Sequence, residues 1–255
     1  MVTVRRVADL SELISTAALD FVETIARVQA PGGGVHGDGV ARVVLTGGGA
    51  GIGLLQELRR LHEAAQAQEE SYPMLRIDWS RVHVFFGDER NVPVDDPDSN
   101  EGQARAALLD YVGVPTHNIH GFDLGAIAMK DAAKAYEGEI REYAPQGFDL
   151  HLLGMGTEGH INSIFPHSDA AQEAQLYVVA VSDSPKPPSE RLTLTFPAIH
   201  RAQRVWLLVS GEAKSEAVGH VVSGTSYLDW PAAGAFGSQE TVLYVTEDAA
   251  ADIEI

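Results

Sequence analysis

The chain has 255 residues, 45% of them hydrophobic, enough to bury a substantial core as an α/β protein. It has no cysteine, which excludes disulfides, thiolate nucleophiles and cysteine-held metal clusters, and no apolar run approaches the length of a membrane span. With 18 Lys+Arg against 36 Asp+Glu the net charge is −18, a field that opposes nucleic acid and anionic membranes but admits a small anion where a few cations share one cleft.

Asp9, Glu12, Asp20 and Glu23 interrupt the N-terminal apolar pattern, so a signal peptide is not expected and a cytoplasmic protein is. Residues 10–26 carry one apolar helical face, with Asp9 and Glu12 spaced as a capping box. A glycine-rich connector follows over residues 31–39. Ala41–Leu45 reads as a strand, and Thr46-Gly47-Gly48-Gly49-Ala50-Gly51-Ile52-Gly53 leads from it into a helix through about His62. Such a turn offers backbone N–H groups and the positive end of a helix dipole to an anion. It also matches the cofactor turn of short-chain dehydrogenases. Those enzymes need Tyr-x-x-x-Lys, and none of the seven tyrosines has Lys four residues on. That reading fails on its chemistry.

Val82–Phe86 is the next strand and ends in Gly87-Asp88-Glu89-Arg90. An Asp- and Pro-rich loop follows, from which Asp98 or Ser99 can cap a helix through Leu109. Arg90 either grips a phosphate with its two-pronged guanidinium or pairs with Asp88 or Glu89. Residues 126–143 form an amphipathic helix without a chemical signal.

Residues 148–153 read as a buried strand, followed by Gly154-Met155-Gly156-Thr157-Glu158-Gly159-His160. Thr157 is the expected N-cap of one or two helical turns stopped at Pro166, with Glu158 and His160 in the first turn. This glycine pattern also fits a dinucleotide fingerprint, with Asp183 as its acid. Pro166 comes too soon for the long helix that fingerprint requires. His160 is the best general-base candidate in the chain.

Beyond it come a strand near Leu176–Val181, a rigid Pro185-Lys186-Pro187-Pro188 loop, a strand-like Arg191–Thr195 and a brief helical turn over Ala198–Gln203. Val205–Val209 is a buried strand leading into a helix through Val222. Lys214 falls in its first turn, where a cation is disfavoured unless an anion or solvent receives it. Pro231–Gly237 is a loop and Thr241–Val245 the last strand. The alternation predicts a single layered α/β domain over residues 1–255, with a mainly parallel sheet flanked by helices. Its motifs lie at carboxyl ends of strands, where open α/β sheets hold ligands.

Taken in order, Leu45-Thr46-Gly47-Gly48-Gly49, Gly87-Asp88-Glu89-Arg90, Asp98-Ser99-Asn100, Gly154 to His160, Ser163-Ile164-Phe165-Pro166, Pro185 to Pro188 with Arg191-Leu192-Thr193, and Gly211 with Lys214 resemble the 6-phosphogluconolactonases. That family lies within the group that includes glucosamine-6-phosphate deaminase. The resemblance implies a hydrolase without metal or cofactor that opens the δ-lactone of 6-phosphogluconate, a small sugar-phosphate partner, and, as an expectation, a monomer. It makes His160 the base that activates water, with Glu158 beside it. It gives substrate binding to Thr46, Gly47, Gly48, Gly49, Asp88, Arg90 and Lys214, and a further anion contact to Arg191. Two positions depart from the pattern. Glu158 stands where the family usually has Asp, and Gly49 where Ser or Thr is common. The deaminases typically carry Phe-Asn-Glu-Pro after the histidine; here Ser163-Ile164-Phe165-Pro166 has no acid, which favours hydrolysis over isomerisation. A sensor without catalysis is the third reading.

Overall fold

Chain order runs β1 (Thr3–Val7), α1 (Leu10–Val28), β2 (Ala41–Leu45), α2 (Gly48–Ala67), β3 (Val82–Phe86), β4 (Asp88–Arg90), α3 (Asn100–Ala104) and α4 (Met129–Tyr143). It continues with β5 (Phe148–Gly154), α5 (Asp169–Gln172), β6 (Val178–Val181), β7 (Arg191–Leu194), α6 (Phe196–Ile199), β8 (Ala202–Val209), α7 (Ser215–Ser223) and β9 (Glu240–Thr246). The computed structural model describes residues 2–67, 76–125, 127–251 and 253, so Ala126, where the fourth helix was expected to begin, lies outside the described residues.

The apolar runs become the inner strands of a six-stranded sheet in the order β1-β9-β8-β5-β2-β3, with every pair parallel. β2 is buried throughout and β5 along all but its last residue, as expected of parallel strands covered on both faces. Val43 and Val44 of β2 stand beside Leu150 and His151 of β5. The chain leaves β2 towards β3 but leaves β5 towards β8, so the strand order reverses between β2 and β5. In open α/β sheets that reversal opens a crevice at the carboxyl ends.

A second sheet, β4-β7-β6, is antiparallel. It pairs Asp88 with Thr193 and Arg90 with Arg191, carrying both motifs to the same end of the main sheet.

The Asp9 cap forms as expected: its carboxylate accepts from the Glu12 N–H at 2.9 Å. The Glu12 carboxylate in turn accepts from the Ala8 N–H at 2.7 Å. Ser99, rather than Asp98, caps α3, accepting from the Gly102 N–H at 3.0 Å. The expected helix to Leu109 is there in two pieces, since Arg105–Leu109 continues α3 as a wider π-helical turn.

Two expectations fail, and one strand is new. No helix follows Thr157. Residues 157–158 form a turn, Gly159 takes φ +74°, and Asn162 and His167 take φ +49° and +59°, all outside the helical region. The helical turn placed at Ala198–Gln203 lies at Phe196–Ile199, and Ala202 already opens β8. β1 was not anticipated, because Thr3, Arg5 and Arg6 are exposed and only Val7 is buried at this sheet edge. Among the described residues no helix is long and apolar enough to cross a membrane.

Candidate active site

Thr46, Gly47, Gly48, Gly49, Asp88, Arg90, His160, Arg191 and Lys214 line one cleft of about 180 Å³ at the carboxyl ends of β2 and β5. Glu158 stands behind His160 rather than on the cleft wall. The Thr46 hydroxyl accepts from the Gly154 N–H at 3.1 Å and so joins the two glycine turns. The first turn opens directly into α2, whose first turn carries no acidic residue. Its unsatisfied N–H groups and dipole leave this wall positive.

The Arg90 guanidinium does not pair with Asp88 or Glu89, although the Arg90 backbone N–H donates to the Glu89 carboxylate at 2.9 Å. Its guanidinium donates to the Asn100 side-chain carbonyl and, at 3.2 Å, to the Asp98 carbonyl, and its buried Nε has no partner among the described residues. Glu89 instead anchors the start of α3, accepting from the N–H groups of Asn100 (2.7 Å) and Glu101 (2.9 Å) and from the Ser99 hydroxyl (3.0 Å). Burial pushes its carboxyl above the ordinary range. Asn100 donates to the Asp88 carbonyl and carboxylate at 2.9 and 3.1 Å and abuts Gly47, where a Cβ would lie 2.2 Å from its oxygen. Asn100 thus fixes Arg90, Asp88 and the first turn together. The sequence offered it only as part of Asp98-Ser99-Asn100.

Asp88 is buried and accepts from the Ser163 hydroxyl at 2.6 Å, with Arg191 at 3.9 Å. The Arg191 fork is spent on the carbonyls of Lys186 (3.0 Å), Pro187 (3.3 Å) and Pro188 (2.9 Å). These bonds use Nε and Nη2; Nη1 lies 3.5 Å from the Ser163 hydroxyl, and Arg191 lines the cleft. Lys214 is half-buried at the start of α7 and forms no ion pair among the described residues. Burial, helped by the neighbouring Lys186 charge, lowers its pKa. Its unfavourable place at a helix N-terminus is the place that reaches the cleft.

The second turn positions His160. The Gly156 N–H donates to the His160 carbonyl at 2.9 Å, and the Gly159 N–H to the Gly156 carbonyl at 3.1 Å. This closes a tight loop around the imidazole. Gly156 is obligatory here, since a Cβ would lie 2.0 Å from His160 Nδ1. The ring stacks on Phe165 at 4.6 Å. Nδ1 lies 3.2 Å from Glu158 Oε1 and 3.4 Å from Lys186 Nζ. His160 itself lines the cleft.

Lys186 also sits 3.2 Å from Glu158, an ion pair that sequence reasoning missed because it read the proline loop only as a rigid spacer. Burial would raise the Glu158 carboxyl, but its own backbone N–H, the His160 ring and Lys186 prevail and hold it at about 2. Burial lowers the His160 pKa, with Lys186 acting the same way against the opposing pull of Glu158 and Asp88. The neutral imidazole needed by a base is therefore favoured. The N–H groups of Gly154, Gly156 and Gly159 are all committed within the protein, so these three glycines offer no free donors to a developing oxyanion.

This arrangement can hold an anion between Arg90, Lys214 and the first turn while an oriented imidazole acts at the other end. The family model described as glucosamine-6-phosphate isomerases/6-phosphogluconolactonase matches residues 8–244. A 6-phosphogluconolactonase of Mycobacterium tuberculosis is 49% identical over 240 residues, covering 89% of this chain and 90% of that protein. The crystal structure of a 6-phosphogluconolactonase from Thermotoga maritima superimposes with a TM-score of 0.79 at 26% identity, over 97% of this chain and all of the other. A monomeric glucosamine-6-phosphate deaminase matches with the same TM-score at 21% identity, over 98% of this chain and 100% of its own, a likeness of fold alone. With the motifs, the parallel sheet and the cleft in agreement, this chain belongs to the glucosamine-6-phosphate isomerase/6-phosphogluconolactonase family.

Proposed function

We propose that the protein hydrolyses 6-phospho-D-glucono-1,5-lactone to 6-phosphogluconate, a step of the oxidative pentose phosphate pathway. The observation that carries this reading is the pairing, in one cleft, of an imidazole backed by Glu158 with two cations, the side chains of Arg90 and Lys214, that have no carboxylate partner among the described residues. Arg90 and Lys214 receive the phosphate, with the N–H groups that open α2 as further donors.

Glu158 accepts from His160 Nδ1–H, which leaves the lone pair on Nε2. Nε2 takes a proton from water as the water oxygen bonds to the lactone carbonyl carbon. The tetrahedral intermediate then collapses: the bond from that carbon to the ring oxygen breaks, and His160 returns the proton to the departing oxygen. Isomerisation would need a further acid after the histidine, and residues 163–166 supply none. The same reading takes the protein to be a monomer of one layered α/β domain. Its small, soluble substrate fits a cytoplasmic site of action.

The test is lactone consumption measured against spontaneous hydrolysis. His160→Gln is expected to lower kcat by about 10² or more while phosphate-dependent binding survives. A correctly folded variant with near wild-type kcat would sink the mechanism.

A further inference from the structure

Asn162 stands on the wall of the same cleft, two residues beyond His160, and the scheme above gives it no task. It is 8% exposed, and both its side-chain oxygen and its side-chain nitrogen are buried without a partner among the described residues. Native folds seldom leave even one buried polar atom unpaired, because its lost hydration is not recovered. Here one side chain has both unpaired. Its neighbours are fully engaged: the Ser163 N–H donates to the Thr193 hydroxyl at 3.1 Å, and the Ser163 hydroxyl to Asp88.

Backbone geometry accounts for part of this. Asn162 has φ +49°, a region that asparagine tolerates better than most residues. Glycine would supply the same φ without burying two polar atoms, so the backbone does not explain the carboxamide. Gly87 leaves space for it: a Cβ there would lie 2.3 Å from Asn162 Oδ1. A carboxamide offers one acceptor and two donor hydrogens, which is the complement of a hydroxyl that both gives and takes a hydrogen bond.

We propose that Asn162 is a specificity-determining residue whose carboxamide receives a ring hydroxyl of the phosphorylated lactone. The inference rests on the functional reading above. With the phosphate at Arg90 and Lys214 and the carbonyl at His160, the ring hydroxyls lie along the wall between them. In this structure the carboxamide, Cγ included, lies against Gly87, so rotation about the Cα–Cβ bond is the motion that turns it to the substrate.

The experiment compares wild type, Asn162→Gly and Asn162→Asp on 6-phosphogluconolactone and on a series of phosphorylated lactones each lacking one ring hydroxyl, with spontaneous hydrolysis subtracted. Asn162→Gly keeps the left-handed backbone and is expected to keep the wild-type melting temperature. It should lose about 10–100-fold in kcat/KM on the full substrate. Wild type should lose a similar factor on one deoxy lactone, and on that lactone the glycine variant should lose nothing further. Unchanged kcat/KM in the glycine variant, or an equal loss on every lactone, would show that Asn162 serves the backbone alone and overturn the proposal. If the glycine variant does not fold, Asn162→Asp decides: it keeps the shape and an acceptor but not the donor, and must show the same selective loss. Failure of the underlying reading would look different, with no wild-type hydrolysis above background on any lactone, and would take this proposal with it.

Discussion

Two glycine turns follow two adjacent buried strands, and they do opposite things. After β2, the turn at Gly47–Gly49 runs straight into the 20-residue helix α2, and no heavy atom would crowd a Cβ on Gly48 or Gly49. Its backbone is open and faces the cleft. After β5, the turn at Gly154–Gly159 spends its glycine N–H groups on Thr46, His160 and Gly156, and starts no helix. There the missing Cβ at Gly156 makes room for a side chain of the protein itself. Glycine in a strand-to-loop turn can thus leave the backbone open to the cleft or clear space for a side chain of the protein. Only the neighbours tell which.

The largest effect expected from this contrast is at Gly156. Gly156→Ala places a methyl group 2.0 Å from His160 Nδ1 and 2.7 Å from Glu158 Oε2, so the imidazole must move. A displacement of about 1 Å at a reacting group costs on the order of 10²-fold. The loss should fall on kcat, with the melting temperature recorded as control; a variant of normal kcat would mean that the second turn does not position the base.

Next come the cations that face the first turn. Arg90→Ala or Lys214→Ala removes a charge-assisted contact worth about 1.5–3 kcal/mol, expected chiefly as a higher KM. The matching measurement is on unphosphorylated gluconolactone, where wild type should lose most of its efficiency and the substitutions should matter little. Equal efficiency on the two lactones would refute the phosphate assignment.

A smaller effect concerns pH. Burial first, then Lys186, disfavour the imidazolium of His160, so the acid limb of kcat/KM should lie below the free-imidazole value of about 6.5. Lys186→Met removes a positive neighbour and leaves Glu158 facing the ring, so the limb should move to higher pH. A limb that stays in place, or moves lower, would show that Lys186 does not act on His160.

The smallest expected effect is at Gly49. It lies in the first turn of α2 with open space around it, so Gly49→Ala should leave kcat/KM near wild type. Stability should rise by about 0.4–1 kcal/mol through the lower entropy of the unfolded chain. A tenfold loss of activity would instead mean that substrate approaches this backbone closely, sharpening the role of the first turn.

The central strands, the Asp9 cap and the helix after Gly47 were legible because each is written in consecutive residues: an apolar run, a capping carboxylate, a glycine followed by a helical pattern. The helix expected after Thr157 shows the limit of such reading. A threonine cap and a proline stop are local signals, whereas residues 157–165 are shaped by distant contacts. The Gly159 carbonyl accepts from the Ala232 N–H at 2.8 Å, the Ser163 N–H bonds Thr193, and the Ser163 hydroxyl bonds Asp88. These contacts outweigh helix propensity. The three-residue strand β4 was hidden for the same reason, since its partner is β7, a hundred residues on in the chain.

By itself, the sequence determined an acidic α/β chain with a parallel core and two glycine turns at strand ends, and it singled out His160, Arg90 and Lys214 as candidates for the chemistry. Hydrophobic periodicity and glycine spacing act over a few residues and survive in the linear order. Tertiary structure alone decided what those residues face. It turned Arg90 from the adjacent carboxylates to Asn100, spent Arg191 on the proline loop, set Lys186 against Glu158 and His160, and left the Asn162 carboxamide without a partner. Electrostatic and hydrogen-bond partners are chosen by distance in space, and the crossing of β2 and β5 at the sheet's reversal brings together groups that the chain keeps more than a hundred residues apart.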